Sequence, residues 1–319
     1  MAEVTAVDKA AFLWDRGFDI EPKVVGKGSY SEVRLAKRRE SGEVVALKTV
    51  DKRKVKKDYL NKFLQREISI VPKLKHPSII NFHCVFTSEP YIYFVSDYAS
   101  NGDLLRWIQS VKYLPEDEAR FLFRQLQEGL AYLHKRHLIH RDVKCENIFC
   151  DAYWNLKLGD FGFVRRMDDS SVSQTFCGSI AYVAPEISRS RPYSKYAVDM
   201  WSLGVVLYIM LTGHMPYNDE NPRRALDEQL RHEVTYKEPK GSMISAEAKE
   251  VIYCLLHPDP HLRWRHQDLL ESAWLKDTPW LVRGENGKRY KVLKISGSAD
   301  KQRSHRSSYA KAAKTWRQT

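Results

Sequence analysis

The sequence predicts an α+β protein of two lobes, a small β-rich one followed by a larger, mainly helical one. The chain has 319 residues, 43% of them hydrophobic and 12% aromatic, which is globular composition with material for sizeable cores. Up to about residue 100, short β-branched runs alternate with turns; beyond it, apolar residues recur at helical spacing. Between the apolar pairs Leu138-Ile139 and Ile148-Phe149 stands HRDVKCEN, residues 140–147. So many polar side chains in one buried segment cost several kcal/mol unless each has a partner.

The elements follow in order. KVVGKGSYSEVRLA, SGEVVALKTV and EPYIYFVSDY read as strands, with one helical stretch, DYLNKFLQREISIVPKL, between the second and third. DLLRWIQS, EDEARFLFRQLQEGLAYLHKR, YAVDMWSLGVVLYIML and AEAKEVIYCLL then read as helices separated by Pro and Gly breaks, without internal repeats. The expected boundaries are an N-terminal extension over 1–19, a domain over 20–275 (small lobe 20–96, connecting segment 97–102, large lobe 103–275) and a tail over 276–319.

Charge bears on partners. Of the net +12, residues 276–319 contribute +9, from 12 Lys/Arg against 3 Asp/Glu. The basic character therefore belongs to a Ser/Gly/Lys-rich tail, read as a disordered extension; nucleic acid is not expected as a partner. The five cysteines lack C-x-x-C pairing, which points to a reducing compartment. The start of the chain has no apolar leader, and the longest apolar run, LGVVLYIML at 203–211, is about half a membrane span. The expectation is a cytoplasmic protein with no membrane partner, with the basic tail open to nuclear import.

The first chemical motif is GKGSYSEV at 26–33. Gly26 and Gly28 fit the start of G-x-G-x-x-G, but Ser31 takes the third position and a strand follows, which disfavours a dinucleotide fold and favours a hairpin whose amides cover phosphates. In VALK, Lys48 sits among apolar neighbours within a strand, where an ammonium needs an anion; Glu67 is the candidate.

These motifs, with HRDVKCEN, DFG at 160–162 and APE at 184–186, stand in the order and spacing of the eukaryotic protein kinase signature. The chain resembles that family over about 20–275. KFLQREI, the cysteine after Lys144, TFCGSIAYVAPE and WSLGVVLYIMLTGHMPY are similar to the testis-specific serine kinases, a calcium/calmodulin-kinase-like group.

The resemblance implies a bilobal protein kinase fold and phosphoryl transfer from ATP with Mg²⁺. Asp142 would take or orient the acceptor's proton, with Lys144 and Lys48 at the phosphates and Asn147 and Asp160 on the metal. Val25, Gly26, Lys27, Gly28, Ser29, Tyr30, Ser31, Glu32 and Val33 would form the loop over ATP. Val33 and Ala46 would cover the adenine and Phe149 lie beneath it, positions that also read as ordinary core. Backbone groups of Asp97 and Ala99 would bond the adenine edge, Asp103 the ribose, and Ser96 would stand at the back of the pocket. His140 reads as a packing residue beneath Phe161. Thr175 would be a phosphosite facing Arg141 and Arg165, supplied by an upstream kinase or by autophosphorylation. Glu186–Arg263 and Asp199 would be structural.

Lys144 implies Ser/Thr acceptors on protein substrates. Asp103 and Glu146 imply basic residues upstream of the acceptor, less strongly because Ile209 stands where basophilic relatives have an acid. A role in sperm development follows from the resemblance alone. The competing readings are a pseudokinase scaffold and a small-molecule phosphotransferase.

Overall fold

The computed structural model describes residues 6–28, 30–55, 64–166, 180–189, 196–218, 220–238 and 243–292. The small lobe is one antiparallel sheet, β1 (Phe18–Lys27), β2 (Ser31–Arg38), β3 (Val44–Asp51), β4 (Phe82–Ser88) and β5 (Tyr91–Asp97), in the order β1-β2-β3-β5-β4. Alternation along β3 sends Val45 and Leu47 to one face, into a small core with Phe18, Tyr93 and Val95. Helix α1 (Ala6–Trp14) closes this face, burying Leu13 completely and stacking Phe12 on Tyr93 at 5.5 Å. A fully buried Leu is worth roughly 2–5 kcal/mol against Ala, so this segment is part of the lobe. The expected extension over 1–19 is thus folded from Ala6, and the sheet starts at Phe18.

The opposite face takes helix α2 (Gln65–Ile70), the described part of the helical stretch expected there. Its core runs without a break into the large lobe, through Ile79, Ile80 and Phe82 to Ile148, Leu158 and Phe161.

The large lobe is built from α3 (Leu104–Val111), α4 (Glu116–His134), α5 (Pro185–Ser188), α6 (Ala197–Thr212), α7 (Pro222–Leu230), α8 (Ala246–Leu255) and α9 (His266–Glu271). Asp103, Asn221 and Ser245 cap α3, α7 and α8, each side chain accepting the third helical amide. Helix α6 is apolar all round and buried along its length, as a central helix must be. Two ribbons, β6 (Leu138–Ile139) with β9 (Arg165–Arg166) and β7 (Ile148–Cys150) with β8 (Leu156–Leu158), carry the polar segments between the lobes.

The tail requires a correction. Residues 276–319 were expected to be mostly disordered, yet within the described stretch, up to Val292, β10 (Leu281–Arg283) and β11 (Arg289–Lys291) form a hairpin on α4. Its two arginines are matched: Glu118 binds Arg283 at 2.5 Å and Arg289 at 2.7 Å, and Arg289 lies 4.0 Å over the Phe121 ring. The buried amides of Gln125 and Asn155 bond its backbone at Leu281 and Arg283. Trp280 stacks on His76, between α2 and β4, at 4.9 Å. Among the described residues no helix is long and apolar enough to cross a membrane.

Candidate active site

The strand register decides which side chains meet above the cleft. β2 and β3 pair Val33 with Lys48 and Leu35 with Ala46, and β3 and β5 pair Ala46 with Ser96. β4 sets Phe82 opposite Ser96, so a small hydroxyl stands beside a large ring at the back. The β1–β2 hairpin closes through a bond from the Gly28 amide to the Ser31 carbonyl at 2.8 Å, with Val25, Gly26 and Lys27 on one side and Tyr30, Ser31 and Glu32 on the other. Ser29 lies outside the described residues.

The floor comes from the large lobe. Phe149 on β7 bridges to Asp103 and lies against Gly159. Ala99 and Asp97 span the connection between the lobes, where Gly102 accepts the Cys150 amide at 2.8 Å. Asp97 lies near Glu43 and His83, three donors of metal-ligand type within 4.8 Å of one another. His83 already approaches Asp97 at 3.0 Å and Arg38 approaches Glu43 at 3.7 Å, so groups of the chain itself meet these acids.

Lys48 projects between two acids, 3.5 Å from Glu67 and 3.1 Å from Asp160. Burial pushes the Glu67 carboxyl up while Lys48 opposes it; Lys48 beside Asp160 holds that carboxyl below its usual range. One ammonium therefore ties a buried helix residue to the DFG aspartate. The intervening Phe161 is fully buried, against Phe82 at 6.2 Å and His140 at 5.1 Å. His140 donates from Nε2 to the Gly159 carbonyl at 3.0 Å and accepts the Asp142 amide on Nδ1 at 3.3 Å, while burial lowers its basicity.

HRDVKCEN folds into a knot around Asp142. Asn147 donates from Nδ2 to the Asp142 carbonyl at 2.9 Å and to Oδ2 at 2.7 Å, and Lys144 reaches Oδ2 at 3.0 Å. Asp199 of α6 holds the knot from below, accepting the amides of His140 at 2.9 Å and Arg141 at 2.8 Å and the His134 ring N–H at 2.8 Å. Burial would raise this carboxyl, but these bonds leave it lowered. Arg141, at φ 67°, donates to the Phe163 carbonyl at 2.8 Å, and Arg165 pairs with Ile139 next to it. Thr175 lies outside the described residues. Arg263 grips Glu186 through two bonds of 2.7 and 2.9 Å, with the guanidinium fully buried. Asp103 is divided between capping α3 and an ion pair with Arg106 at 3.3 Å, and Glu146 accepts from Tyr182 at 3.2 Å.

A five-stranded antiparallel sheet over a helical lobe, with these motifs in the cleft, agrees with the protein kinase domain family, which matches residues 20–275. The chain belongs to the protein kinase family. It is similar to testis-specific serine/threonine-protein kinase 1 of Mus musculus, at 41% identity over 276 residues, covering 85% of this chain and 75% of that one. Testis-specific serine/threonine-protein kinase 2 of the same species is 40% identical over 276 residues, covering 85% and 76%. A plant relative, CBL-interacting serine/threonine-protein kinase 3 of Arabidopsis thaliana, is 35% identical over 257 residues, covering 80% of this chain and 57% of its own.

The motifs did not point to two features of this kinase. Glu116 accepts from Ser245, Trp274 and Arg120 together, joining the start of α4 to that of α8; no local pattern marks it. The hairpin at 281–291 did leave a signal, the Asn286-Gly287 pair between LVR and RYK, with Gly287 at φ 72°.

Proposed function

We propose that the chain transfers the γ-phosphate of ATP to serine or threonine hydroxyls of protein substrates. The observation that carries this is the completeness of the charged set: Lys48 engaged with both Glu67 and Asp160, and Asp142 engaged with both Lys144 and Asn147. A pseudokinase scaffold would need none of it. Phosphoryl transfer has a loose, highly charged transition state, so positioning and fixed charge do most of the work.

In this reading the β1–β2 hairpin lies over the phosphates and Lys48 binds their oxygens. Val33 and Ala46 cover the adenine, Phe149 supports it, and backbone groups of Asp97 and Ala99 read its edge. Asp142 has Oδ2 committed to Lys144 and Asn147, which leaves Oδ1 for the acceptor hydroxyl. As the hydroxyl oxygen forms its bond to phosphorus and the bond to ADP breaks, the hydroxyl proton passes to Asp142, and Lys144 offsets charge on the moving phosphoryl group.

Mg²⁺ fits the donors present. Asn147 spends its Nδ2 protons on Asp142, leaving the amide oxygen, and Asp160 offers a carboxylate kept ionised by Lys48. These are hard oxygen ligands suited to that ion, which when bound would neutralise phosphate charge. Glu146 and Asp103 favour Arg two or three positions before the acceptor, with Ile209 reducing the contrast. Thr175, once phosphorylated by an upstream kinase or by the chain itself, would carry about −1.5 to −2 charge to Arg141 and Arg165. The words testis-specific in the relatives' names support a role in sperm development, and the basic tail leaves nuclear entry open to an otherwise cytoplasmic enzyme.

Transfer from labelled ATP·Mg²⁺ to a Ser/Thr peptide array by wild type, Asp142→Asn and Asp160→Asn tests the assignment. Both variants should lose at least about 10²-fold, the size of one preorganised electrostatic contact. Near-normal turnover in either would remove that residue from the mechanism, and selection of acidic sequences would overturn the upstream preference.

A further inference from the structure

Asp199 fastens the catalytic loop, and a row of side chains that phosphoryl transfer does not use fastens Asp199 from behind. His134 closes α4 and His266 opens α9; His266 Nε2 lies 2.8 Å from His134 Nδ1. Gln127, one face along α4, sets its Nε2 3.3 Å from His266 Nδ1. All three side chains sit within the packed lobe, Gln127 and His134 being buried.

Asp199 sets the proton position at its end of this row. Asp199 already accepts amides on both carboxylate oxygens and can only accept from His134, so His134 Nε2 carries a proton. His266 Nε2 meets the same ring at its other nitrogen, Nδ1, and the Gln127 amide meets His266 at Nδ1. The tautomer of His134 bare at Nε2 would turn a lone pair toward the carboxylate at 2.8 Å, so Asp199 excludes it while His266 holds the opposite edge of the ring. Burial holds His266 well below the usual histidine range, at about 3, so it stays neutral. The other groups facing the pair are Lys135, next in the chain, and Tyr196, whose hydroxyl donates to the His134 carbonyl at 3.1 Å.

We infer that His266 is a positioning residue of this kinase: by holding the Nδ1 edge of the His134 ring it aims the Nε2 N–H at Asp199, and so sets the backbone of His140 and Arg141 that presents Asp142. The inference rests on the kinase reading of Asp142, and its test separates the two.

In wild-type protein carrying nitrogen-labelled histidine, a two-bond proton–nitrogen correlation spectrum should show His134 protonated at Nε2 and His266 carrying a single ring proton through neutral pH. His266→Gln keeps a polar group near the same place and should retain kcat within about twofold. His266→Leu fills the volume without a polar partner; kcat should fall about tenfold with KM for ATP nearly unchanged, short of the ~10²-fold that an ångström of misplacement costs. A bare Nε2 on wild-type His134, equal slowing by Gln and Leu, or full activity in His266→Leu would overturn the role. An inactive wild type would count against the kinase reading, and the spectrum would still decide the hydrogen-bond row.

Discussion

Phe149 and Gly159 lie so close that a Cβ on Gly159 would stand 2.7 Å from the Phe149 ring, with Ile80 at 3.1 Å on its other side. Phe149, the proposed floor of the nucleotide site, and the residue before DFG are therefore fitted to each other.

Gly159→Ala should cost about 1–3 kcal/mol through overpacking and raise KM for ATP as the ring is displaced. Phe149→Leu in the same chain should restore much of the loss, a non-additivity expected of residues in contact. Thermal melts and ATP titrations of the two single variants and the double variant decide it; simple additivity would mean that the ring moves aside freely.

Glu67 carries a pH signature. Burial raises its folded-state value above the unfolded one, so folding favours the protonated form. Its stabilising contribution is full below the unfolded value of about 4.3 and is lost as pH rises through the folded value. Glu67→Gln removes this titration. At neutral pH its melting midpoint should match or exceed wild type, while kcat/KM falls because Lys48 loses an anionic partner. A midpoint clearly below wild type at neutral pH would show that the ion pair outweighs the burial of the charge.

Ser96 faces Ala46 and Phe82, and as a small residue at the proposed back of the adenine pocket it should leave space that ATP does not need. Ser96→Met should keep ATP turnover at a stability cost of about 1–3 kcal/mol. A bulky purine analogue that reaches past the adenine should inhibit wild type strongly and the variant weakly. Equal inhibition of both proteins would remove Ser96 from this position.

The hairpin gives a paired truncation. Ending the chain after Val292 keeps the hairpin, whereas ending it after Pro279 strips the backbone partners from buried Gln125 and Asn155. A buried hydrogen bond is worth about 0.5–1.5 kcal/mol and three are lost together, so the shorter chain should melt about 5 °C lower or more. Equal midpoints would mean that the hairpin adds nothing to the fold.

Much of this could be read in advance because kinase chemistry concentrates in short contiguous motifs. GKGSYSEV, VALK, HRDVKCEN and DFG each fix several residues at once, and their order implies two lobes. What stayed hidden is carried by single residues that meet across long sequence separations. Leu13 is one apolar residue of an acid- and lysine-containing start, and its burial depends on a sheet that forms far along the chain. Arg283 and Arg289 looked like tail charge because their partner, Glu118, lies 165 and 171 residues earlier in the chain. His266 has no motif, and only the crossing of α9 with α4 joins it to His134.

Helix α6 buries 15 of its 16 residues, Asp199 among them. Its backbone amides can reach water only when the large lobe opens as a whole, so they should be the last to exchange in deuterated solvent. The β1–β2 hairpin, with its glycine turn and exposed rim, belongs at the fast end of the same scale. A gradient of protection should thus cross the cleft: the end that presents Asp142 is anchored to the most slowly opening element, while the hairpin proposed to cover ATP should exchange without it.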